Sequence, residues 1–423
     1  RVDILKNLGN KEVELYEVKS SASFKDAFVD DVSFQYYCLT KLGYSVKKAC
    51  LVYVNNKYVR KGEIDLAEMF TTLDITETAK ENEQKVHDLL EYLTDYMKQT
   101  DESDDDLGLQ CFDKRRSKHK KNDGNPSKEK KKTENDTNIC GFFGYCAERL
   151  PKPNVFSVAG LSKVNMIKHY KNGIISFKQL MDAGVLTEKK QFQVNHEVLS
   201  LPPQIDREAI REFIHSFTYP LYFLDFESFN PAIPIYDNSK PYQQIPFQYS
   251  LHIMEHEGGE LQHKEYLGNP ANDPRRELAE SLVRDIPQNS CIVAYHTSFE
   301  RDRIKEMADI FPDLAEHLRS LCENMKDLEV PFKNKQYYTK AMQGSSSIKF
   351  VLPALFPNDP ALDYHNLEGV HKGTEASAAF KRMGEMSPEE LKTCRKNLLA
   401  YCKLDTFAMV KIWQRLCKVV ADD

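Results

Sequence analysis

The chain lacks the marks of a membrane protein, a secreted protein or a dedicated nucleic-acid binder. None of its 423 residues lies in an apolar run long enough to span a bilayer, and no segment reads as a secretory leader. These absences predict a cytoplasmic protein with no membrane partner. Basic charge is not in excess: 58 Lys and Arg stand against 64 Asp and Glu, for a net charge of −6. Dedicated nucleic-acid binders are usually basic, so a polyanionic ligand would have to be met by local basic patches or through bound cations. Tryptophan occurs once, at Trp413. What is present suits a globular protein: 41% hydrophobic and 11% aromatic residues over a length that allows two ordinary domains plus connections.

The most informative stretch is Leu221–Glu227, LYFLDFE, taken together with Tyr401–Asp405, YCKLD. An apolar run ending in Asp-x-Glu reads as a buried strand that delivers Asp225 and Glu227 to one face, because strand side chains alternate with period two. Tyr401 and Asp405, four residues apart, share a face if their segment is helical. Between them, Cys291–Tyr295 reads as a second buried strand. It is followed by Thr297 or Ser298 as N-cap of a helix Phe299–Phe311 that carries Glu300 in its first turn. Carboxylates converging from strand and helix are the chemistry that holds divalent cations for phosphodiester hydrolysis. Each motif alone also fits an ordinary amphipathic strand or a surface helix turn; their order along the chain gives the combination weight.

That order resembles the DEDD exonucleases of the ribonuclease-H-like fold, in the subclass with a tyrosine in the third motif. The resemblance implies that Asp225, Glu227, Glu300 and Asp405 hold Mg²⁺ or Mn²⁺ and that Tyr401 positions the attacking water. Glu300 stands where the family usually has Asp, and His296 replaces the Asn often found four residues earlier. Phe247–Glu255 and Leu261–Leu267 as strands, with a helix Asp273–Asp285, complete the strand and helix order of such a domain.

A second constellation lies near the start. Arg1–Leu5 reads as a strand carrying Asp3. Glu12–Ser20 alternates cleanly, with Glu17 and Lys19 on one face and Tyr16 and Val18 on the other. A helix Asp26–Leu42 follows, with Gln35 near its middle. Glu-x-Lys also occurs on the wet face of any amphipathic strand. With Asp3 ahead of it and Gln35-Tyr36-Tyr37 after it, the set resembles the RecB-like branch of the PD-(D/E)XK nucleases. There Asp3 and Glu17 would hold metal and Lys19 would orient the water or stabilise phosphate charge.

Seven of the ten cysteines sit in apolar or helical patterns and read as reduced thiols in cores and helices. Cys111, Cys140 and Cys146 lie instead in polar, glycine-containing surroundings. They resemble the late cysteines of Cas-type and AddB-like iron–sulfur nucleases, which implies a [4Fe–4S] cluster with a fourth thiolate. The chain begins at Arg1 within the Asp3 strand and without an initiator methionine. The expectation is therefore a fragment, with the missing ligand upstream of Arg1. Zinc, with His119 or an outside residue as fourth ligand, and unliganded thiols are the alternatives.

The acidic tract Asp101–Asp106 and the Lys/Arg-dense stretch Asp113–Thr133 cannot bury enough apolar surface to fold. They predict a charged, disordered insert over about 101–138, read either as a solvated loop or as a tether for a phosphate backbone. Ile175–Ala183 reads as a short helix stopped by Gly184, Gln193–Ile205 as the linker, and Asp206–Ser216 as a helix. Gly369–Ala378 reads as a substrate-side loop exposing His371 and Lys372. Lys349 reads as a solvated lysine or a phosphate contact, and Phe226, Phe229 and Tyr242 as core aromatics or stacking platforms. The domain expectation is an α/β chain: a PD-(D/E)XK-like domain over 1–155, a bridging segment over 156–216, and a ribonuclease-H-like domain over 217–423. The whole arrangement resembles a bacterial family described as a domain of unknown function.

These readings converge on a metal-dependent nuclease acting on DNA, with a 3′–5′ exonuclease site and a second RecB-like site, and single-stranded DNA or DNA ends as partner. RNA 3′-end processing is the alternative within the enzyme class. A nucleic-acid-binding scaffold with decayed sites is the alternative outside it.

Overall fold

A computed structural model describes residues 1–100, 106–112 and 139–421 of the chain. The charged stretches 101–105 and 113–138, with His119 and the tether reading, lie outside the described residues. The architecture is mixed α/β, divided into two compact units. The first comprises Arg1–Lys152, Ser162–Gly173 and Pro231–Tyr242, and the second Pro153–Leu161, Ile174–Asn230 and Gln243–Asp423.

In the first unit four strands form one sheet: β1 (Ile4–Gly9), β2 (Glu12–Lys19), β3 (Ser45–Val54) and β4 (Phe70–Asp74), in that spatial order. β1 pairs antiparallel with β2 and β3 antiparallel with β4, while β2 and β3 run parallel. A parallel pair needs a crossover, and helix α1 (Ala27–Lys41) supplies it. The odd positions Val13 and Leu15 of β2 point at α1 and form a core with Phe28, Val32 and Leu39. The first strand therefore begins at Ile4 rather than Arg1, and Asp3 precedes it. Helix α2 (Thr76–Glu81) and helix α3 (Glu83–Tyr96) follow β4. Leu107 and Phe112 are buried around a helical turn at Leu109–Cys111. The expected insert thus does not reach them, because two apolar side chains tie this stretch to the unit.

In the second unit helix α4 (Phe177–Ala183) ends where its sequence predicts but begins two residues later than Ile175. Ser176 and Gln179 form a capping box, and Gly184 ends the helix at φ 58°. The expected linker differs. Helix α5 (Glu188–Val198) takes up its first six residues, since Gln193, Val194 and His196 are buried, and residues 199–203 remain as connection before Gln204–Ile205. Helix α6 (Arg207–His215) is capped by Asp206, whose carboxylate accepts the Ala209 N–H at 3.1 Å.

The main sheet of this unit contains β5 (Leu221–Phe229), β6 (Ile245–Met254), β7 (Leu261–Leu267), β8 (Cys291–Ala294) and β9 (Met325–Asp327). Its spatial order is β9-β8-β5-β6-β7. β9, β8 and β5 are parallel, and β6 and β7 are antiparallel to their neighbours. Every residue of β6 is buried, as expected for a strand covered on both faces. Helix α7 (Arg275–Asp285), helix α8 (Ser298–Ile310) and helix α9 (Ala315–Glu323) enclose the core around Tyr222, Leu224, Leu251 and Ile292. Thr297 occupies the N-cap of α8 but makes no side-chain cap bond.

On the other face lie helix α10 (Ile348–Leu355), helix α11 (Gly373–Arg382) and the 34-residue helix α12 (Pro388–Ala421). α12 places Trp413 beside Leu221, Phe223 and Val293. The expected loop Gly369–Ala378 is half helix, because α11 begins at Gly373. Phe226 and Phe229 are buried in the sheet, which removes them as stacking platforms.

Candidate active site

β5 carries Asp225 and Glu227 on one face, and α12 carries Tyr401 and Asp405 one turn apart. The sheet and the long helix bring these two pairs together. Oxygen atoms of Asp225, Glu227 and Asp405 lie within 4.8 Å of one another. Glu227 is buried, while Asp225 and Asp405 keep a partly exposed edge. The Tyr364 hydroxyl donates to Asp405 Oδ1 at 2.6 Å. The Cys402 thiol lies 3.9 Å from Asp225 Oδ2.

Three carboxylates this close raise one another's proton affinity unless a cation neutralises them. Burial, then the charges of Asp405, Glu300 and Glu227, push Asp225 far above the usual carboxylate range. Burial and the charges of Asp405 and Glu300 do the same to Glu227. Asp405 is pushed up to about 7 by burial, against the pull of the Tyr364 hydroxyl, the Lys349 charge and the Tyr401 hydroxyl. Burial raises the Tyr401 and Tyr364 phenols well above their ordinary value, with the Asp405 charge adding to it. The donor set, all hard oxygens converging on one point, suits Mg²⁺ or Mn²⁺.

Glu300 stands in the first turn of α8, 4% exposed, and its Oε2 has no hydrogen-bond partner. It is not one of the three acids gathered within 4.8 Å, but its charge acts on both Asp225 and Glu227. Burial, with the Asp327 charge adding to it, brings Glu300 up to about 8 against its own backbone N–H and Arg303.

A cavity of about 580 Å³ opens beside Tyr401 and Asp405. Ile348, Leu352 and Phe356 line its apolar side, and Lys349, His371 and Lys372 bring nitrogen atoms to its rim. Lys349 is exposed, yet its charge reaches Asp405. Sequence reasoning missed Tyr364, because a tyrosine in a short turn 37 residues before Tyr401 carries no periodic signal. Tyr364→Phe is expected to raise the Asp405 pKa and weaken Mn²⁺ binding roughly 3- to 10-fold, the worth of one charge-assisted hydrogen bond. Calorimetric titration with Mn²⁺ checks it.

In the first unit Glu17 Oε1 accepts from Lys19 Nζ at 2.6 Å, and Glu17 Oε2 accepts from Gln35 Nε2 at 2.7 Å. Lys19 also pairs with Asp31 at 2.6 Å, a partner on α1 that the sequence did not disclose. Asp3 Oδ2 accepts the Val18 N–H at 2.9 Å. Glu17, Lys19 and Gln35 thus form one bonded set, with Asp3 tied to the backbone between Glu17 and Lys19.

Cys140 N–H donates to the Cys111 carbonyl at 2.7 Å, so these two cysteines are neighbours. Cys146 is exposed at the end of the short helix Phe143–Cys146. No helix among the described residues is long and apolar enough to cross a membrane.

Residues 222–347 match the model of a family described as Domain of unknown function (DUF2779). This stretch holds β5 to β9 and ends before Tyr364, Tyr401 and Asp405. The chain is 28% identical over 209 residues to the uncharacterized protein MG366 of Mycoplasma genitalium, covering 45% of this chain and 31% of that protein. Its homolog in Mycoplasma pneumoniae is 28% identical over 207 residues, with the same shares. The uncharacterized protein UU173 of Ureaplasma parvum is 30% identical over 156 residues, 34% of this chain and 22% of that protein. The chain spans about a third of the length of the first two of these relatives. No solved structure matches the chain.

Proposed function

We propose that the second unit is a ribonuclease-H-like exonuclease domain of the DEDD type, hydrolysing phosphodiester bonds at Asp225, Glu227 and Asp405. The reading is carried by one observation: three largely buried carboxylates gathered within 4.8 Å, with their proton affinities raised. Acids so placed are costly unless they hold cations. The strand order supports it, with three parallel strands and two antiparallel ones and the Asp-x-Glu strand in the middle.

Bound Mg²⁺ or Mn²⁺ would supply a hydroxide at neutral pH and neutralise charge on the leaving oxygen. Asp225, Glu227 and Asp405 are the residues that would hold it. Tyr364 fixes Asp405 through its hydroxyl, and Tyr401 places a second hydroxyl beside the same carboxylate. Lys349 and Lys372, at the rim of the adjoining cavity, meet the negative charge of a nucleotide chain. The apolar wall at Ile348 and Leu352 gives a terminal base a dry surface. A chain end seated there is cut one nucleotide at a time, and the 3′–5′ direction is what the DEDD reading implies. Tyr401→Phe is expected to lower kcat about 10- to 100-fold and leave KM within a factor of three, since it removes a water-positioning group rather than a binding one. Steady-state kinetics on a labelled oligonucleotide check this.

The first unit is proposed as a RecB-like PD-(D/E)XK nuclease domain, in which Asp3 and Glu17 hold the cation and Lys19 and Gln35 position the reacting groups. Cys111, Cys140 and Cys146 are proposed as ligands of a structural [4Fe–4S] cluster, with zinc as the alternative. Purification without oxygen, with absorption near 400 nm lost in Cys140→Ser, distinguishes the cluster from zinc.

Mn²⁺-dependent degradation of end-labelled single-stranded DNA and RNA tests the whole assignment. Laddering from the 3′ end that survives Glu17→Ala and vanishes in Asp225→Ala establishes the second unit as the exonuclease and identifies its polymer. DNA is the expected substrate, and a ladder on RNA alone would reassign the enzyme to RNA 3′-end processing. A folded protein that cuts neither polymer would instead be a nucleic-acid-binding scaffold.

A further inference from the structure

A second group of potential ligands lies at the carboxyl ends of two parallel strands. β8 and β9 are paired with Asp327 opposite Ala294. The chain leaving β8 reaches His296 at φ 68°, and the chain leaving β9 reaches Glu329. Ligand atoms of His296, Asp327 and Glu329 lie within 4.8 Å of one another. His296 Nδ1 stands 3.0 Å from Glu329 Oε2. Cations with bonds of about 2.1 Å hold adjacent ligand atoms about 3 Å apart, so this spacing already fits shared coordination.

Asp327 Oδ1 accepts the His296 N–H at 2.9 Å and the Glu329 N–H at 3.0 Å, which fixes the carboxylate. Ser346 donates to Glu329 Oε1 at 2.7 Å and orients that carboxylate in turn. Ligands held by outer hydrogen bonds in this way are typical of metal centres. These bonds would also suit a simple latch between strand ends.

Glu300 is the observation that separates the two. It is 4% exposed, its Oε2 has no hydrogen-bond partner, and Asp327 is the neighbouring charge that most raises its proton affinity. A buried carboxylate oxygen without a donor, within reach of the Asp327 charge as well as those of Asp225 and Glu227, is costly unless a cation answers it. A latch has no use for it.

We propose that His296, Asp327 and Glu329, with Glu300 behind them, form a second divalent-cation site that prefers a first-row transition metal to Mg²⁺. An imidazole with carboxylates is a donor set suited to Mn²⁺ or Zn²⁺, whereas Mg²⁺ favours oxygen alone. His296 is more than half exposed, so the site has an entry path and room for water or a ligand oxygen on the bound cation. The three ligands of the site, His296, Asp327 and Glu329, lie outside the Asp225–Glu227–Asp405 group, while Glu300 also acts on Asp225 and Glu227.

Titration of the full chain with MnCl₂ and, separately, with MgCl₂ tests it. Calorimetry would measure affinity, and electron paramagnetic resonance of free Mn²⁺ would count bound ions. His296→Gln and Glu329→Gln are each expected to lose one bound Mn²⁺, or to weaken it at least 10-fold, while Mg²⁺ binding changes less than threefold. Asp225→Asn is expected to retain that Mn²⁺ and lose the other, so failure at either site is read separately. His296→Gln changes an exposed side chain, and the Trp413 fluorescence melt verifies that the unit is folded. Mn²⁺ count and affinity unchanged in both His296→Gln and Glu329→Gln would overturn the proposal.

Discussion

Replacing Asp225 by Asn is expected to abolish Mn²⁺ binding at the three-carboxylate group, to cut phosphodiester hydrolysis by about 10³-fold or more, and to stabilise the metal-free protein. The first two effects follow from the metal's role. A cation on a reacting phosphodiester contributes several kcal/mol to the barrier, and each ~1.4 kcal/mol is a factor of ten in rate. The third follows from repulsion. Burial and the charges of Asp405, Glu300 and Glu227 all act against ionised Asp225, so a neutral amide of the same shape relieves them. The pairing of lost activity with gained stability is diagnostic of a functional site. A structural residue would lose both. Kinetics with end-labelled single-stranded DNA and a melt followed by fluorescence in the presence of a chelator give the two readouts. Trp413, the only tryptophan, is buried in the second unit and reports on that unit alone. A fall in the chelated melting temperature of Asp225→Asn would count against the charged-cluster reading.

Without metal, the second unit is expected to melt about 5–10 °C lower at pH 8.5 than at pH 6.5, and Mn²⁺ to abolish most of that difference. Asp405 is raised to about 7 and Glu300 to about 8. Both therefore hold protons in the folded state that they release on unfolding. Their contribution is fully present below their ordinary values near 4 and is lost as pH rises through 7 and 8. Between pH 6.5 and 8.5 this amounts to roughly 3 kcal/mol, or about 2–4 °C per kcal/mol for a domain of this size.

The window is chosen because the buried histidines act with the opposite sign below it. His252 and His263 are lowered to about 3 and about 4, chiefly by burial. They contribute stability that is present above pH 6.5 and lost as pH falls toward those values. Under acid the two effects oppose, whereas above pH 6.5 only the last part of the histidine contribution, roughly 0.4 kcal/mol for each, offsets the larger loss from the carboxylates. Bound Mn²⁺ fixes the carboxylates ionised, so its stabilisation should grow with pH and its binding should release protons. A melting temperature flat across this window in chelator would refute the raised values.

Much of the second unit was legible before any coordinates. Strand Leu221–Glu227 declares itself, because a buried strand needs continuous apolar side chains; Leu261–Leu267, mostly polar and only partly buried, and the helix before Cys291 follow from their place in the element order. Asp225, Glu227, Tyr401 and Asp405 were legible for the same reason, since two-residue and four-residue spacings fix which side chains share a face. In the first unit, Glu17 and Lys19 followed from alternation. The stretch 193–198 was misread because Pro202-Pro203 and nearby polar residues resemble a linker, while burial of Val194 and His196 depends on distant partners.

What the sequence by itself determined is local: periodicity, caps, stops and the pairing of acids within a motif. Those depend on backbone geometry that repeats every two or every 3.6 residues. Only the tertiary structure decided that strand β5 and helix α12, some 180 residues apart, bring Asp225, Glu227 and Asp405 within 4.8 Å. It alone placed Tyr364 on Asp405, Asp31 on Lys19, and Asp327 and Glu329 beside His296. These contacts are set by strand order and helix packing, which join residues with no fixed spacing along the chain.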